Sequence, residues 1–209
     1  MQESGQFIMS NNRPDWTYEV LQNGNVCGVD EAGRGPLAGP VVACAVILNP
    51  QNYPNGLNDS KRLSPKKREL LLNEIKDLAL SFGIGIAEPE EIDRYNILQA
   101  SLRAMARAVD AMHIRADIAL IDGTHAPKLY CKTQTIIKGD SKSLSIAAAS
   151  ILAKVTRDQL MQEADKRYPN YGFSRHKGYP TAAHKRAIIE YGPCSVHRRS
   201  FNPVKTYYT

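Results

Sequence analysis

No uninterrupted apolar stretch in this chain approaches the roughly 20 residues a bilayer-spanning helix needs. The start, MQESGQFIMSNNRPDW, lacks a basic segment followed by a hydrophobic one. The chain therefore reads as soluble and cytoplasmic, with residues 1–24 as an N-terminal tail. The cysteines, Cys27, Cys44, Cys131 and Cys194, form no C-x-x-C pair. That removes the usual zinc and thiol-redox spacings and leaves reduced, mostly buried thiols as the expectation. The histidines, His113, His125, His176, His184 and His197, show no H-E-x-x-H spacing, so a metal centre built on nitrogen and sulfur is not expected. Internal repeats and low-complexity tracts are also absent. The glycine cluster GRGPLAG matches neither G-x-G-x-x-G ahead of a helix nor G-x-x-x-x-G-K-[ST], which makes a nucleotide-binding loop a poor reading.

What is present is enough for one substantial domain: 209 residues, 43% of them hydrophobic. Charge is unevenly placed. Residues 165–209 carry nine Lys/Arg against Asp165 and Glu190, a net of +7 within a total of +6. Interleaved with Tyr168, Tyr171, Phe173 and Tyr179, these bases have the composition of a polyanion-binding surface, although a solvated basic tail would look the same.

Val26–Val29 and Val41–Leu48 are β-branched and apolar without alternation, as in strands covered on both faces. Ser64-Pro65 caps a helix with Leu71, Ile75, Leu78 and Ala79 on one stripe and an end near Ser81. FGIGIAE reads as a third strand. Asn96 caps a helix carrying Leu98, Leu102, Met105, Val109 and Met112. DIALID and KTQTIIK read as further strands. A long helix from Ser143 carries Leu144, Ala148, Ile151, Leu152 and Val155, and TAAHKRAIIEY reads as a last helix. The order predicts an α/β domain over residues 25–209, a mixed β-sheet flanked by helices with a basic helical C-terminal extension from about residue 165.

Four acids stand at strand ends: Asp30 and Glu31 after the first strand, Asp122 closing IALID, and Asp140 in KGDSKS. Sites form where strands of an open sheet leave the core. Carboxylates gathered there repel one another unless a cation neutralises them, and oxygen-only ligands select a hard ion, Mg²⁺ or Mn²⁺. Taken singly, each acid also fits a helix cap or turn. For Asp30 and Glu31 to reach one site the strand must end or bend there, which Gly33 and Gly35 allow. The same glycines would let backbone N–H groups approach a sugar or phosphate, though a plain turn fits them too.

Six blocks in order, GVDEAGRGPLAGPVVACAVIL, LNDSKRLSPKKREL, ALIDG, KGDSKSLSIAAASILAKVTRD, HKGYPTAAHKRAI and RRSFNPV, give the chain a close resemblance to bacterial ribonuclease HII, the type 2 ribonuclease H family. The resemblance implies an RNase H-like fold. It implies a carboxylate set on Asp30, Glu31, Asp122 and Asp140, with Asp30 as candidate bridging ligand between two ions. It implies endonucleolytic hydrolysis of RNA in RNA–DNA hybrids, and incision 5′ to a lone ribonucleotide in duplex DNA, leaving 3′-hydroxyl and 5′-phosphate ends. Gly33, Arg34 and Gly35 would contact the ribonucleotide 2′-hydroxyl, Tyr179 would pack at the RNA-to-DNA junction, and Ser60, Lys61, Lys142 and Ser145 would hold phosphates. A monomer acting in ribonucleotide and RNA primer removal is the accompanying expectation.

Overall fold

A computed structural model describes residues 13–208. The first twelve residues of the expected tail lie outside them. Residues 14–24 are not a loose tail. The short helix α1 (Thr17–Val20) inserts Glu19, 6% exposed, where its Oε1 accepts bonds from the Ser143 hydroxyl at 2.6 Å and from the backbone N–H and hydroxyl of Ser145 at 2.9 and 2.6 Å.

β1 (Val26–Ala32) pairs antiparallel with β2 (Val41–Ile47), whose seven residues are all buried. That explains why its sequence does not alternate. Helix α2 (Pro65–Leu78) starts where Ser64 accepts from the Lys67 N–H, and it ends before Ser81, which instead opens β3 (Ser81–Ala87). β3 completes an antiparallel edge on β2.

Helix α3 (Pro89–Asp110) begins about two turns earlier than the apolar stripe suggests. It kinks at Asn96, whose backbone is non-helical (φ 67°) and whose Oδ1 accepts from the N–H groups of Leu98 and Gln99. The cap that the sequence predicts is therefore real, inside a longer helix started by Pro89 at its first turn. Gly83 and Gly85 face this helix so closely that a Cβ on either would strike the carbonyls of Ala108 or Ala104.

β4 (Ile118–Asp122) pairs parallel with β1, and β5 (Lys132–Ile136) pairs parallel with β4, giving the order β3-β2-β1-β4-β5. Helix α4 (Leu144–Arg167) crosses the other face, its start pressed against Gly28, where a side chain would overlap the backbone of Ser145 and Ile146. Two cores result. Val29, Ala43 and Ala45 pack with α3, while Val42, Cys44 and Val46 pack with α2 and α4. Among the described residues no helix is long and apolar enough to cross a membrane.

Helices α5 (Phe173–His176) and α6 (Ala182–Tyr191) fold back on the end of α4. Here the aromatic part of the expected basic surface needs correction. Tyr171 and Phe173 stack at 5.3 Å in a small core, 8% and 0% exposed, and Arg198 is fully buried. Apolar burial has claimed residues that composition alone assigns to solvent. Of the cysteines, Cys27 and Cys44 are buried, whereas Cys131 and Cys194 are only partly covered.

Candidate active site

β1 does not end at its two acids. Asp30 pairs with Cys44 and Glu31 with Ala43, and the ladder runs on to Ala32. Residues directly opposite in an antiparallel pair share a face. Asp30 therefore lies on the α4 side of the sheet and Glu31 on the α3 side. They meet because the neighbouring parallel strand β4 stops at Asp122, leaving the sheet open at that end. Asp30, Glu31, Ser60, Lys61, Ser150, Arg157 and Tyr179 line a cleft of about 280 Å³ there. Asp122 joins Glu31 on the wall of a smaller cavity of about 110 Å³ against α3.

Local bonds fix the carboxylates. The Glu31 N–H donates to Asp30 Oδ1 at 2.7 Å, and the Gly139 N–H donates to Asp122 Oδ1 at 2.6 Å. Arg34 Nη1 lies 3.3 Å from Glu31 Oε1. Lys138, in the left-handed region at φ 56°, turns the chain into a 3-10 turn (Gly139–Ser141) that carries Asp140. Lys61 Nζ sits 3.7 Å from Asp140 Oδ2.

Burial pushes the Asp30 carboxyl well above its ordinary range, and Glu31, Asp122 and Asp140 push it further. Glu31 is raised by burial and by Asp122, against the lowering pull of Arg34. Asp140 is raised by burial, by Asp122 and by Asp59, with Lys61 opposing. These mutual effects place all four acids in one electrostatic unit, short of positive charge.

Among the described residues no three His, Cys, Asp or Glu side chains are already gathered closely enough to cage an ion. That agrees with the chemistry of the donor set. A small hard cation keeps several waters and takes one or two carboxylates together with substrate phosphate oxygens, so it needs an open cleft of repelling oxygens rather than a closed cage. The residues present fit such an ion.

The other expected site residues divide. Gly33, Arg34 and Gly35 line the cleft beside the acids. Gly33 has φ +99° and abuts Arg157, so a side chain there is excluded twice over. Tyr179 is 43% exposed, with its ring 3.8 Å from where a Cβ on Gly35 would sit. Ser60 faces the cleft and accepts a bond from the Ser150 hydroxyl at 2.9 Å. Lys61 is exposed above Asp140, and Lys142 is exposed just beyond it. Ser145 is a correction. It is 1% exposed, and its hydroxyl is committed to Glu19, so it faces α1 and not the cleft.

Sequence reasoning missed the residues behind the loop. Arg157 and Arg198, 1% and 0% exposed, bond its backbone carbonyls, and burial pulls the Arg198 guanidinium down to about 9. Behind Tyr179 runs a chain of imidazoles whose tautomers follow from its ends. The Cys194 N–H donates to His197 Nδ1 at 3.0 Å, His197 Nε2 must then donate to His184 Nε2 at 3.0 Å, and His184 Nδ1 donates to the Tyr179 carbonyl at 3.0 Å. Burial holds both rings neutral, pulling each down to about 4. Of these residues only His184 and Arg198 fall within the blocks HKGYPTAAHKRAI and RRSFNPV, and nothing in either block marks them as buried.

The family model described as Ribonuclease HII matches residues 27–204. A ribonuclease HII of Dechloromonas aromatica is 58% identical over 88% of this chain and 94% of its own length. That of Vibrio parahaemolyticus is 56% identical over 86% and 85%. Among solved structures, the ribonuclease H2 of Pyrococcus horikoshii superposes with a TM-score of 0.75 at 26% identity, covering 88% of this chain and 96% of that one. Bst-RNase HIII in complex with Mn²⁺ shares the fold, with a TM-score of 0.68 at 17% identity over 91% and 71%. One open sheet end with four carboxylates, set in a fold and a sequence matched over most of their length, places this chain in the ribonuclease HII family, and it is a ribonuclease H, a hydrolase of phosphodiester bonds.

Proposed function

We propose that this chain is an endonuclease that hydrolyses RNA in RNA–DNA hybrids and incises duplex DNA on the 5′ side of a single ribonucleotide, leaving 3′-hydroxyl and 5′-phosphate ends. Such an activity serves removal of misplaced ribonucleotides and of RNA primers. The observation that carries the reading is the convergence of Asp30, Glu31 and the Gly33–Gly35 loop with Tyr179 on one cleft. Chemistry for the phosphate and a contact edge for the ribose thus lie side by side.

Asp30, Glu31, Asp122 and Asp140 would hold Mg²⁺ or Mn²⁺. When bound, a pair of such ions supplies an activated water and stabilises the leaving 3′-oxygen. The chain's own residues do the rest. The N–H groups of Glu31 and Gly139 orient the Asp30 and Asp122 carboxylates. Lys61 holds Asp140 by charge and stands where a phosphate would approach, with Ser60 beneath it. Lys61, Lys142 and the loop would position the backbone without reading sequence, and the 2′-hydroxyl would separate RNA from DNA.

The test is a labelled DNA duplex with one embedded ribonucleotide, incubated with Mg²⁺, Mn²⁺ or a chelator. Metal-dependent incision 5′ to the ribonucleotide is expected, with the all-DNA control intact. Binding without cutting under either metal rules the reading out.

A further inference from the structure

The Arg157 and Arg198 guanidiniums have no carboxylate within ion-pair distance among the described residues. Instead they are solvated by six backbone carbonyls. Arg198 bonds those of Gly39 at 3.0 and 2.8 Å, Arg34 at 2.9 Å and Gly33 at 2.5 Å. Arg157 bonds those of Pro40 at 3.0 Å, Ala38 at 3.2 Å and Lys177 at 3.1 Å. A buried guanidinium is tolerated only where its donors are met, and each carbonyl that meets one is held in direction by it.

The peptide geometry says what that is. In a trans peptide the carbonyl of one residue and the N–H of the next point in opposite directions. Arg198 draws the Gly33 and Arg34 carbonyls inward, away from the cleft that these residues line and Arg198 does not. The N–H groups of Arg34 and Gly35 are thereby turned outward, and no described protein group accepts from either. Two neighbouring free donors on one edge suit a hydroxyl or phosphate oxygen. Arg157 adds a second constraint, since its bond to the Lys177 carbonyl, with the Leu37 N–H bonded to the Gly178 carbonyl at 2.8 Å, ties the loop to the turn before Tyr179.

We propose that Arg198 and Arg157 are positioning residues for ribose discrimination: Arg198 aims the Arg34 and Gly35 N–H groups at the ribonucleotide, and Arg157 sets their distance from Tyr179. The proposal rests on the nuclease reading above. It predicts a defect in using the ribose, distinct from a loss of folding or of duplex binding.

Arg198→Lys and Arg157→Lys keep the charge but replace the planar guanidinium, whose separate nitrogens reach separate carbonyls, by a single compact ammonium. Rates with Mg²⁺ are measured on a single-ribonucleotide duplex, and affinity is measured on an all-DNA duplex of the same sequence without metal. For folded Arg198→Lys, kcat is expected to fall at least about 30-fold, with KM and all-DNA affinity changed less than about threefold. A wild-type kcat, or cleavage and all-DNA binding lost together, overturns the proposal. Should the variants not fold, the wild-type chain decides. With chelator and saturating duplex, the amide resonances of Arg34 and Gly35 should differ between ribonucleotide and all-DNA duplexes, and identical shifts overturn the proposal. A shift difference in a protein that cuts neither duplex removes the nuclease reading while leaving the oriented donors standing.

Discussion

Glu31 donates its backbone N–H to the Oδ1 of Asp30 at 2.7 Å, although the two side chains leave β1 on opposite faces of the sheet. The bond locks one oxygen of the more buried acid and leaves the other for a ligand. Asp122 is held the same way by the Gly139 N–H. Both acids are thus fixed before any cation arrives.

Replacing Asp122 by Asn keeps the bond to Gly139 but removes a negative charge from the cleft. Cleavage of a single-ribonucleotide duplex is expected to fall at least about 100-fold, with the circular dichroism spectrum and hybrid affinity retained. Near-normal turnover would take Asp122 out of the chemistry.

Asp30 links charge to stability with an unusual sign. Its pKa in the folded chain is raised, so the folded state holds the proton more tightly than the unfolded one. Its stabilising contribution is present below the ordinary carboxylate pKa and is lost as pH rises through the raised value. Asp30→Asn should therefore raise the metal-free melting temperature near neutral pH by several degrees, on the order of 1–3 kcal/mol, and the gain should shrink on acidification. Mg²⁺ or Mn²⁺ should raise the wild-type midpoint and leave the variant less affected. A variant less stable than wild type at neutral pH without metal contradicts the repulsion. Activity should fall on acidification, as protons compete with cations for the raised acids.

The imidazole chain has the opposite sign. His184 and His197 are pulled down to about 4, so their contribution is present above about 6.5 and is lost as pH falls through 4. Protonating His184 sets its Nε2–H against that of His197, and protonating His197 sets its Nδ1–H against the Cys194 N–H. In the ring resonances of the folded protein, both histidines should remain neutral down to about pH 4. Titration of either near 6.5 would break the tautomer assignment.

Gly33 and Gly35 should separate in mutagenesis. Gly33→Ala meets Arg157 at a positive φ and is expected to lower the melting temperature by several degrees. At Gly35 the nearest atom to a new Cβ is the Tyr179 ring at 3.8 Å, an ordinary contact. Gly35→Ala should fold normally yet slow cleavage roughly tenfold or more by occupying the edge offered to the ribose. Equal stability losses in both would show that Gly35 serves only the loop.

Tyr179→Ala removes a half-exposed ring, and little stability should be lost. Cleavage at a lone ribonucleotide is expected to slow more than cleavage of uniform hybrid, which the ratio of initial rates reads directly. Equal slowing would deny Tyr179 a role at the junction.

The position of Asp122 was legible because IALID is a short apolar strand bounded by polar residues, and it does end at that acid. The continuation of β1 past Glu31 was not legible, because whether a strand stops depends on its partner, and β2 keeps pairing to Ala32. Arg198 was hidden for a related reason. Composition counts a guanidinium as surface, and only the loop carbonyls folded around it make its burial tolerable. Ser145 misled because a serine beside KGDSKS has the local chemistry of a phosphate ligand, while its actual partner, Glu19, lies far back in the chain.

The parallel pairing of β1 with β4 carries a consequence for the newly made chain. Asp30 and Asp122 stand about ninety positions apart, and their meeting requires closing that loop, an entropically slow step compared with forming the β1–β2 hairpin. A nascent or half-unfolded copy holds the hairpin's two acids without their partners. Cleavage is therefore expected to appear only after β1 and β4 have paired, late in folding, because only then do the acids stand together.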